Sequence, residues 1–298
     1  MDFLRLTIFQ AVARHLSFSK AADELQLSQP AVSKHIQQLE AELGVRLFQR
    51  TGRRVELTEA GRLVLDYAKR LSFLSEEMRR ALSELEGVQR GYLRLGASST
   101  PGLYLVPDLL VRFRREFPGV ETTLVISNSA DVARRVGIGE IDLGFVGAVP
   151  QLPGLLVRNF ADDEIVLIVP AGHALTRRLK FAPESLAQEV LIVREPGSAT
   201  RQVAEVNLAR LGVSPRQVME MSGSEAVKRV VAAGLGIAFI SRHAVALEVA
   251  QKLVDVPDVP QLRFSRPLLL ISRKDARPSA AAAAFLELID RRNGMAAR

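Results

Sequence analysis

Small and hydrogen-bonding side chains crowd the start of one predicted helix. Ser28 can cap this helix, and Pro30 suits its first turn, where a backbone N–H would lack a partner. One face of the helix carries the apolar residues Val32, Ile36, Leu39 and Leu43. The opposite face, near the N-terminal end, carries Gln29, Pro30, Ser33, Lys34 and Gln37. A helix that reads base edges in the major groove of DNA needs one face packed in the core and amide and hydroxyl groups on the opposite face.

A short arginine-rich segment follows that helix. Four arginines lie between Glu42 and Glu56 with no acidic residue among them, namely Arg46, Arg50, Arg53 and Arg54. The segment predicts a two-stranded hairpin, or wing, that turns at Thr51-Gly52. Guanidinium groups on such a wing would contact phosphates, which positions a protein on DNA and makes its binding depend on salt.

Two shorter helices must hold the recognition helix in place. Apolar residues at spacings of three and four predict a first helix over 3–16, with Leu16 on its inward face. A second is predicted over about 18–25, where Ser17 and Ser19 both suit the cap position. Periodicity alone leaves two interpretations open: a DNA-binding unit, or an ordinary three-helix bundle with a solvated hairpin.

A long helix without proline is predicted from Thr58, its cap, to Glu86. Its apolar residues recur at alternating spacings of three and four: Val64, Tyr67, Leu71, Leu74, Met78, Ala81 and Leu85. That repeat is typical of a coiled-coil seam, and charged residues fill most of the other faces. The sequence therefore predicts dimerisation through this helix, the alternative being a long helix that packs on its own domain.

From Tyr92 onward the pattern changes to alternating strands and helices, which predicts parallel sheets covered by helices. One of those helices is expected over 103–117. Four strands end in small polar residues that open the next helix: Ser98-Ser99-Thr100, Ser127-Asn128-Ser129, residues 196–201, and Ser222-Gly223-Ser224-Glu225. Ligands of such folds bind beyond the carboxyl ends of the strands, and helix N-termini favour anions. These clusters, with Arg201 nearby, predict a cleft for a small anion, although each cluster alone is also explained as a helix cap.

Composition excludes several classes of protein. The chain has 298 residues, enough for about two domains. It has no cysteine, which excludes disulfides and thiolate metal sites, and its four histidines show no metal-ligand spacing. No apolar run is long enough to span a membrane, and the start does not resemble a signal peptide. We therefore expect a cytoplasmic protein with no cofactor, no metal and no catalytic residues.

The net charge of +7 is not concentrated in the predicted DNA-binding region. Residues 1–90 contain 14 Lys and Arg against 12 Asp and Glu, a net charge of +2, so the remaining residues carry +5. Bulk charge therefore does not mark a basic domain, and the local arginine wing is the better indication of a nucleic-acid partner.

Three motifs in the first sixty residues resemble the winged helix-turn-helix of LysR-type transcriptional regulators. They are Phe18-Ser19-Lys20-Ala21-Ala22-Asp23-Glu24-Leu25 followed by Ser28-Gln29-Pro30-Ala31-Val32-Ser33, then Leu39-Glu40-x-Glu42-Leu43-Gly44-x-x-Leu47-Phe48-x-Arg50, and Leu57-Thr58-Glu59-Ala60-Gly61. Together with the spacing above, the resemblance implies DNA contacts from Ser19, Lys20, Gln29, Pro30, Ser33, Lys34, Gln37, Arg50, Arg53 and Arg54. The expected partner is double-stranded promoter DNA with inverted-repeat half-sites.

Two later motifs, at 139–144 and 231–237, look like the effector-domain signatures of the same family. The resemblance implies an α+β multi-domain protein: a winged helix-turn-helix over 1–58, a dimerisation helix over 59–90 and an effector-binding domain over 91–298. That last domain would have two lobes like those of periplasmic binding proteins, lobe one at 91–161 plus 267–298 and lobe two at 162–266. The cleft between them would be lined by Ser98, Ser99, Thr100, Asn128, Ser129, Gly147, Thr200, Arg201 and Ser224.

Together, the patterns and the resemblance predict a sequence-specific DNA-binding transcriptional regulator modulated by a small anionic effector. The resemblance implies a homo-oligomer, dimer or tetramer, with RNA polymerase as a further partner to consider and no membrane partner. The stretch at 194–201 looks most like family members that sense small inorganic or phosphorylated anions. Two alternatives stay open: a constitutive DNA binder with a vestigial cleft, and an enzyme on a bilobal α/β scaffold.

Overall fold

A computed structural model describes residues 2–51, 54–84, 91–176 and 183–296. They form two compact units, an N-terminal one that runs to the end of a long helix and a larger C-terminal one. Arg53, Leu85 and the side chains of Arg50 and Ala81 lie outside the described part, so the roles expected of them stay predictions. Within that part, no helix is long and apolar enough to cross a membrane, and no cluster of His, Asp and Glu could hold a metal ion.

The N-terminal unit consists of three helices, a wing and a long helix. In chain order these are α1 (Phe3–His15), α2 (Phe18–Leu25), α3 (Gln29–Leu43), β1 (Phe48–Thr51), β2 (Arg54–Leu57) and α4 (Glu59–Glu84). The two strands are antiparallel, with Phe48 opposite Leu57 and Thr51 opposite Arg54. The core lies between the helices and the base of the wing, where the rings of Phe9 and Phe48 are 5.4 Å apart.

Hydroxyl caps determine where these helices begin. Ser17 Oγ accepts a hydrogen bond from the Lys20 N–H, and Ser28 Oγ accepts one from the Ala31 N–H, each at 3.3 Å. The cap of α2 is thus Ser17 rather than Ser19. Leu16 differs from its prediction: it ends α1 in the left-handed region at φ 46° and is 47% exposed, so it does not join the inward face.

Gly61, in the first turn of α4, lies against the backbone of the wing. A Cβ at this position would be 2.1 Å from the Leu47 carbonyl oxygen. Alanine normally stabilises a helix by about 1 kcal/mol relative to glycine, but no change of side-chain rotamer can relieve a clash with backbone. We therefore expect Gly61→Ala to destabilise the N-terminal unit by a net ~1–3 kcal/mol, seen by scanning calorimetry of the full chain as a lower transition temperature.

Gly137→Ala is the matched control for that substitution. A Cβ there would meet only the flexible end of the Leu152 side chain, at 2.7 Å from Cδ2, which can move aside. Its free energy of unfolding, from the same calorimetry, should stay within about 1 kcal/mol of the wild-type value. A stabilised Gly61→Ala variant would contradict the close approach of α4 to Leu47.

The C-terminal unit alternates strands and helices around a nine-stranded sheet. In chain order its elements are β3 (Gly91–Ser98), α5 (Ser99–Tyr104), α6 (Val106–Glu116), β4 (Val120–Ser127), α7 (Ser129–Gly137), β5 (Leu143–Val146), β6 (Leu155–Pro170), β7 (Val190–Arg194), α8 (Ala199–Arg210), β8 (Gln217–Met221), α9 (Ser224–Ala232), β9 (Ile237–Ser241), α10 (Arg242–Ala250), β10 (Val254–Asp255), β11 (Phe264–Arg273) and α11 (Ala280–Ala296). The strand order is β4-β3-β5-β11-β6-β9-β7-β8, and β10 pairs with β6.

Two long antiparallel strands, β6 and β11, connect the two halves of this sheet. On one side the parallel strands β3, β4 and β5 form lobe one, and on the other the parallel strands β7, β8 and β9 form lobe two. Where these strands pass between the lobes, Asp162 pairs with Pro267. The sequence predicts that lobe two begins at residue 162 and that lobe one resumes at residue 267. Helices cover both faces of each lobe, with separate apolar cores around Phe113 and Phe285 in lobe one and around Leu191 and Phe239 in lobe two.

The single helix expected over 103–117 is in fact two helices. The helical conformation is interrupted between α5 and α6 at Leu105, where φ is −125° and ψ is −44°. Pro107 has no N–H to donate to the carbonyl of Leu103, and its ring clashes with that carbonyl, so one continuous helix is excluded. As a result α5 is a separate short helix that begins directly after β3 at Ser99.

Candidate functional site

The accessible side of α3 carries the residues expected to contact DNA. They are all exposed or half-buried: Gln29, Pro30, Ser33, Lys34 and Gln37. The opposite side is buried in the core: Val32, Ile36 and Leu39. Gln29 Nε2 donates to Ser33 Oγ at 2.9 Å, so the two side chains support one another across one helical turn. Ser19 and Lys20 are exposed at the start of α2.

A buried carboxylate attaches the wing to α3, and the sequence patterns did not single it out. Glu40 Oε1 accepts hydrogen bonds from the backbone N–H groups of Leu47 at 2.8 Å and Phe48 at 3.3 Å. Glu40 Oε2 accepts from Arg46 Nη1 at 3.1 Å. Thr58 Oγ1 donates to the Arg46 carbonyl at 2.7 Å. Since Arg46 precedes β1 and Thr58 precedes α4, this bond connects the start of the wing to the start of α4. These bonds hold the base of the wing in a fixed position relative to α3.

Each strand of the wing carries an arginine. Arg54 is exposed at the start of β2, where a phosphate could reach it. Arg50 lies on β1 opposite Val55. Arg53 lies between the two strands in the sequence, outside the described residues.

Helix α4 has two apolar stripes rather than one. The inner stripe packs on the core of its own unit and includes Val64, Leu65 and Ala68. The outer stripe is exposed in a single chain and consists of Leu63, Tyr67, Leu71, Leu74 and Met78. Val64, which the sequence pattern assigned to the dimerisation seam, therefore packs within its own unit, and the neighbouring Leu63 begins the exposed stripe instead.

In the C-terminal unit, polar residues from both lobes surround a small pocket. Lobe one contributes Ser98, Ser99, Thr100, Asn128 and Ser129. Lobe two and the crossing strand β11 contribute Arg194, Ser198, Ala199, Thr200 and Arg266. The space, including its open mouth, is about 220 Å³. Helices α7 and α8 both begin at this pocket, and their dipoles favour a small anion. In α7 the N–H groups of Ala130 and Asp131 already donate to the Gly197 carbonyl and to Asn128 Oδ1, so the N–H groups at the start of α8 are the better donors to a ligand.

Arg266 is the most deeply buried positive charge of the pocket, at 5% exposure. On the crossing strands it pairs with Asp163, whose Oδ2 accepts from Arg266 Nε at 2.8 Å and Nη2 at 2.7 Å. One hydroxyl from each lobe completes its environment: Thr200 Oγ1 is 3.1 Å from Nη1 and Thr100 Oγ1 is 3.2 Å from Nη2. Burial lowers the pKa of Arg266 and the Asp163 charge opposes that effect. An arginine side chain nevertheless stays protonated in a protein.

Arg194, at the end of β7, is the second cation. Its Nε and Nη2 each donate to a Glu195 oxygen at 2.8 Å. Nη1 donates to Ser224 Oγ at 2.6 Å, and Nη2 also donates to Ser99 Oγ at 3.1 Å. Burial alone would raise the pKa of Glu195, but the hydrogen bonds from Arg194 outweigh it and hold that pKa below its ordinary value. The Glu195 carboxylate is therefore charged at neutral pH.

Three residues expected in the cleft are not part of its lining. Gly147 makes room for a cation, because a Cβ there would be 2.8 Å from Arg266 Nη1. Ser224 lies behind the lining and bonds to Arg194. Arg201 faces away: its Nε donates to Glu205 at 2.7 Å and its Nη1 to Glu220 at 2.8 Å. The positive charge expected from Arg201 is supplied instead by Arg194 and Arg266, which the sequence analysis did not identify.

Two family models match the chain in consecutive segments. Residues 3–62 match the bacterial regulatory helix-turn-helix protein, lysR family, and residues 86–294 match the LysR substrate binding domain. The first match lies in the N-terminal unit and the second in the C-terminal unit.

Full-length relatives and solved structures agree with these matches. The RuBisCO operon transcriptional regulator of Allochromatium vinosum is 37% identical over 285 residues, 96% of this chain and 94% of that protein. A crystal structure of full-length CbnR in complex with its target DNA has the same fold, with a TM-score of 0.71 at 24% identity, over 98% of this chain and 99% of that one. The CcmR regulatory domain of Synechocystis PCC6803 in complex with 2-PG has a TM-score of 0.63 at 28% identity, over 67% of this chain and 96% of that one. The chain therefore belongs to the LysR family of transcriptional regulators, with a helix-turn-helix DNA-binding domain followed by an effector-binding domain.

Proposed function

We propose that this regulator binds a small anion in the pocket between its two lobes, and that the anion changes how the protein holds promoter DNA. The observation that supports this most directly is the convergence of two buried guanidinium groups and hydroxyls from both lobes on one small space. In this proposal residues 1–58 read DNA, 59–90 associate with a second chain, and 91–298 sense the effector. The protein acts in the cytoplasm, by binding rather than by catalysis.

The lining favours a compact ligand with one strongly charged group. Hydroxyls and helix N-termini donate hydrogen bonds from several directions, and guanidinium groups suit phosphate, sulfate or carboxylate oxygens. The ligand contacts are Ser98, Ser99, Thr100, Asn128, Ser129, Thr200, Arg194 and Arg266. Since the CcmR regulatory domain has been solved with 2-PG, that compound is the first effector to test here, followed by sulfate and inorganic phosphate.

The proposed mechanism is a shift between arrangements of the lobes. Donors on both lobes can hold one anion only when the lobes bring them together, so the anion stabilises that arrangement over any other. The exposed stripe of α4 joins two chains, and two α3 helices related by a two-fold axis then read half-sites about one helical turn apart or a multiple of it. A change in the lobes that repositions the paired helices alters the DNA contacts and the bend of the site.

Thermal unfolding and DNase footprinting of the promoter of the neighbouring gene test this proposal together. At 100 times its Kd, an effector should stabilise the C-terminal unit by about 2.7 kcal/mol. The same concentration should change the length or hypersensitive positions of the footprint. Glycerol, which carries no charge, serves as the control and should do neither.

Two results would contradict the proposal. Stabilisation by 2-PG, sulfate or phosphate with an unaltered footprint would show a pocket that does not control DNA binding. An unaltered melting temperature with all three, beside a normal footprint, would favour a constitutive DNA binder.

A further inference from the structure

A tyrosine of lobe one is inserted into lobe two. Tyr104, the last residue of α5, packs its ring against the apolar cluster of lobe two that includes Val227 and Val231. Its hydroxyl is 3.2 Å from Glu225 Oε1 on α9 and 3.5 Å from the Ala244 carbonyl oxygen on α10. The ring thus occupies a socket between α9 and α10, and it links the two lobes outside the pocket lining.

A buried lysine forms the base of this socket. Lys228 is 5% exposed, and its Nζ is 2.8 Å from Glu225 Oε1 and 2.6 Å from Glu248 Oε1. It therefore joins α9 to α10 through one carboxylate on each. Glu248 Oε2 is buried without a hydrogen-bond partner among the residues that the structure describes. Glu225 and Glu248 share one ammonium group, so a hydrogen bond from the Tyr104 hydroxyl further stabilises the Glu225 carboxylate.

The protonation states agree with this arrangement. Burial raises the pKa of Tyr104 above its ordinary value, so the hydroxyl stays protonated and donates a hydrogen bond to Glu225. Burial works against the charge of Lys228, but its hydrogen bonds with Glu225 and Glu248 raise its pKa overall. Lys228 therefore stays a cation at neutral pH.

Helix α5, which carries Tyr104, also lines the pocket, and α9 contacts Arg194 of the lining. Helix α5 begins at Ser99, which lines the pocket, and ends five residues later at Tyr104. Helix α9 begins at Ser224, which accepts from Arg194, and its next residue is Glu225. A movement of the lobes that withdraws Tyr104 from its socket would therefore also displace the hydroxyls of α5 relative to Arg194.

We propose that Tyr104 is an interlobe latch, a positioning residue that keeps the donors of both lobes assembled around the anion without touching it. This inference depends on the proposed function, in which the pocket binds an anion. Loss of the latch reduces the fraction of molecules with an assembled pocket, and the apparent Kd of every anion rises by that same factor. Loss of a direct ligand contact would instead affect different anions unequally.

Calorimetric titration of the full chain with 2-PG and with sulfate tests the latch. We expect Tyr104→Phe, which loses one hydrogen bond, to weaken both probes by about threefold to tenfold. Tyr104→Ala, which also loses the ring, should weaken both by more than tenfold and by a common factor. Tyr92→Phe is the matched control, because Tyr92 is 53% exposed on β3 of the same lobe, and it should bind both probes as the wild type does.

Hydrogen exchange supplies a second readout that does not depend on the ligand. Tyr104→Ala should speed amide exchange in α9 and α10 relative to Tyr92→Phe, and saturating sulfate or 2-PG should restore part of the protection. Wild-type affinity in both Tyr104 variants, or unequal losses for the two probes, would overturn the latch. If no variant and no wild-type protein binds either probe, the proposed function fails, and unchanged exchange in Tyr104→Ala would then overturn the latch separately.

Discussion

Replacing Arg266 with methionine is expected to destabilise the C-terminal unit by about 3–5 kcal/mol and to abolish anion binding. The side chain of Asp163 is fully buried, and Arg266 is its ion-pair partner. Without that guanidinium a carboxylate remains in the interior between the crossing strands β6 and β11, where its one remaining side-chain partner in the described part of the chain is the Ser241 hydroxyl, at 2.7 Å. Scanning calorimetry of the full chain should show the transition of this unit lowered by on the order of 10 °C.

A double variant separates the structural part of this effect from the binding part. Arg266→Met with Asp163→Asn removes both charges and keeps an acceptor for Ser241, so most of the lost stability should return. Binding of 2-PG and sulfate, measured by calorimetric titration, should not return, since the positive charge is still missing. A double variant that binds either anion with wild-type affinity would show that Arg266 only balances Asp163 and does not attract the ligand.

The hydroxyl lining of the pocket could be predicted because its residues follow strands in a regular order. Ser98 and Asn128 come directly after predicted strands, and the carboxyl ends of parallel strands meet at one edge of a sheet. The two cations could not be predicted in the same way. Arg266 is buried because Asp163 lies opposite it, and the two are 103 residues apart in the chain, in a register that the sequence does not reveal.

Arg201 is the opposite case, a residue that was expected in the cleft and does not line it. Its position beside Thr200 at the start of α8 favoured a cleft role, but it pairs with Glu205 one turn along α8 and with Glu220, which lies on β8, 19 residues further along. A weak signal for Arg266 was present in the alternation of β11, where Phe264, Arg266 and Leu268 are buried in turn. An arginine at an inward-facing position of a strand indicates a buried partner.

The wing and α4 show a related limit of the sequence patterns. The caps and the turn residues are local signals, so the helices of the N-terminal unit were predictable to within a residue or two. The seam of α4 was harder, because this helix carries two apolar stripes and a spacing of three and four fits both. Only the packing of Val64 and Ala68 on the core shows which stripe is used within the unit and which remains exposed.

Substitution of Leu74 and Met78 by glutamate is expected to separate the chains and to weaken operator binding by at least 100-fold. Both side chains are 58% exposed in a single chain, so the monomer loses little by the change. In a dimer that forms through this stripe they would be buried in the interface, where the introduced carboxylates would lose their contact with water and would have no apolar surface to pack with. The loss of operator affinity follows because two linked DNA-binding units gain about 10²–10⁴ from effective concentration, and a separated unit does not.

Sedimentation equilibrium and a mobility-shift titration measure the two parts of this prediction. The mass of the Leu74→Glu, Met78→Glu variant should fall to half of the wild-type value or less, while its circular dichroism stays that of the wild type. The exchange Leu74→Met with Met78→Leu at the same positions keeps the stripe apolar and conserves its volume, so it should preserve both the mass and the operator affinity. If the glutamate variant kept the wild-type mass, the exposed stripe of α4 would not be the surface that joins the chains. If its mass fell but its operator affinity did not, one helix-turn-helix unit alone would account for DNA binding.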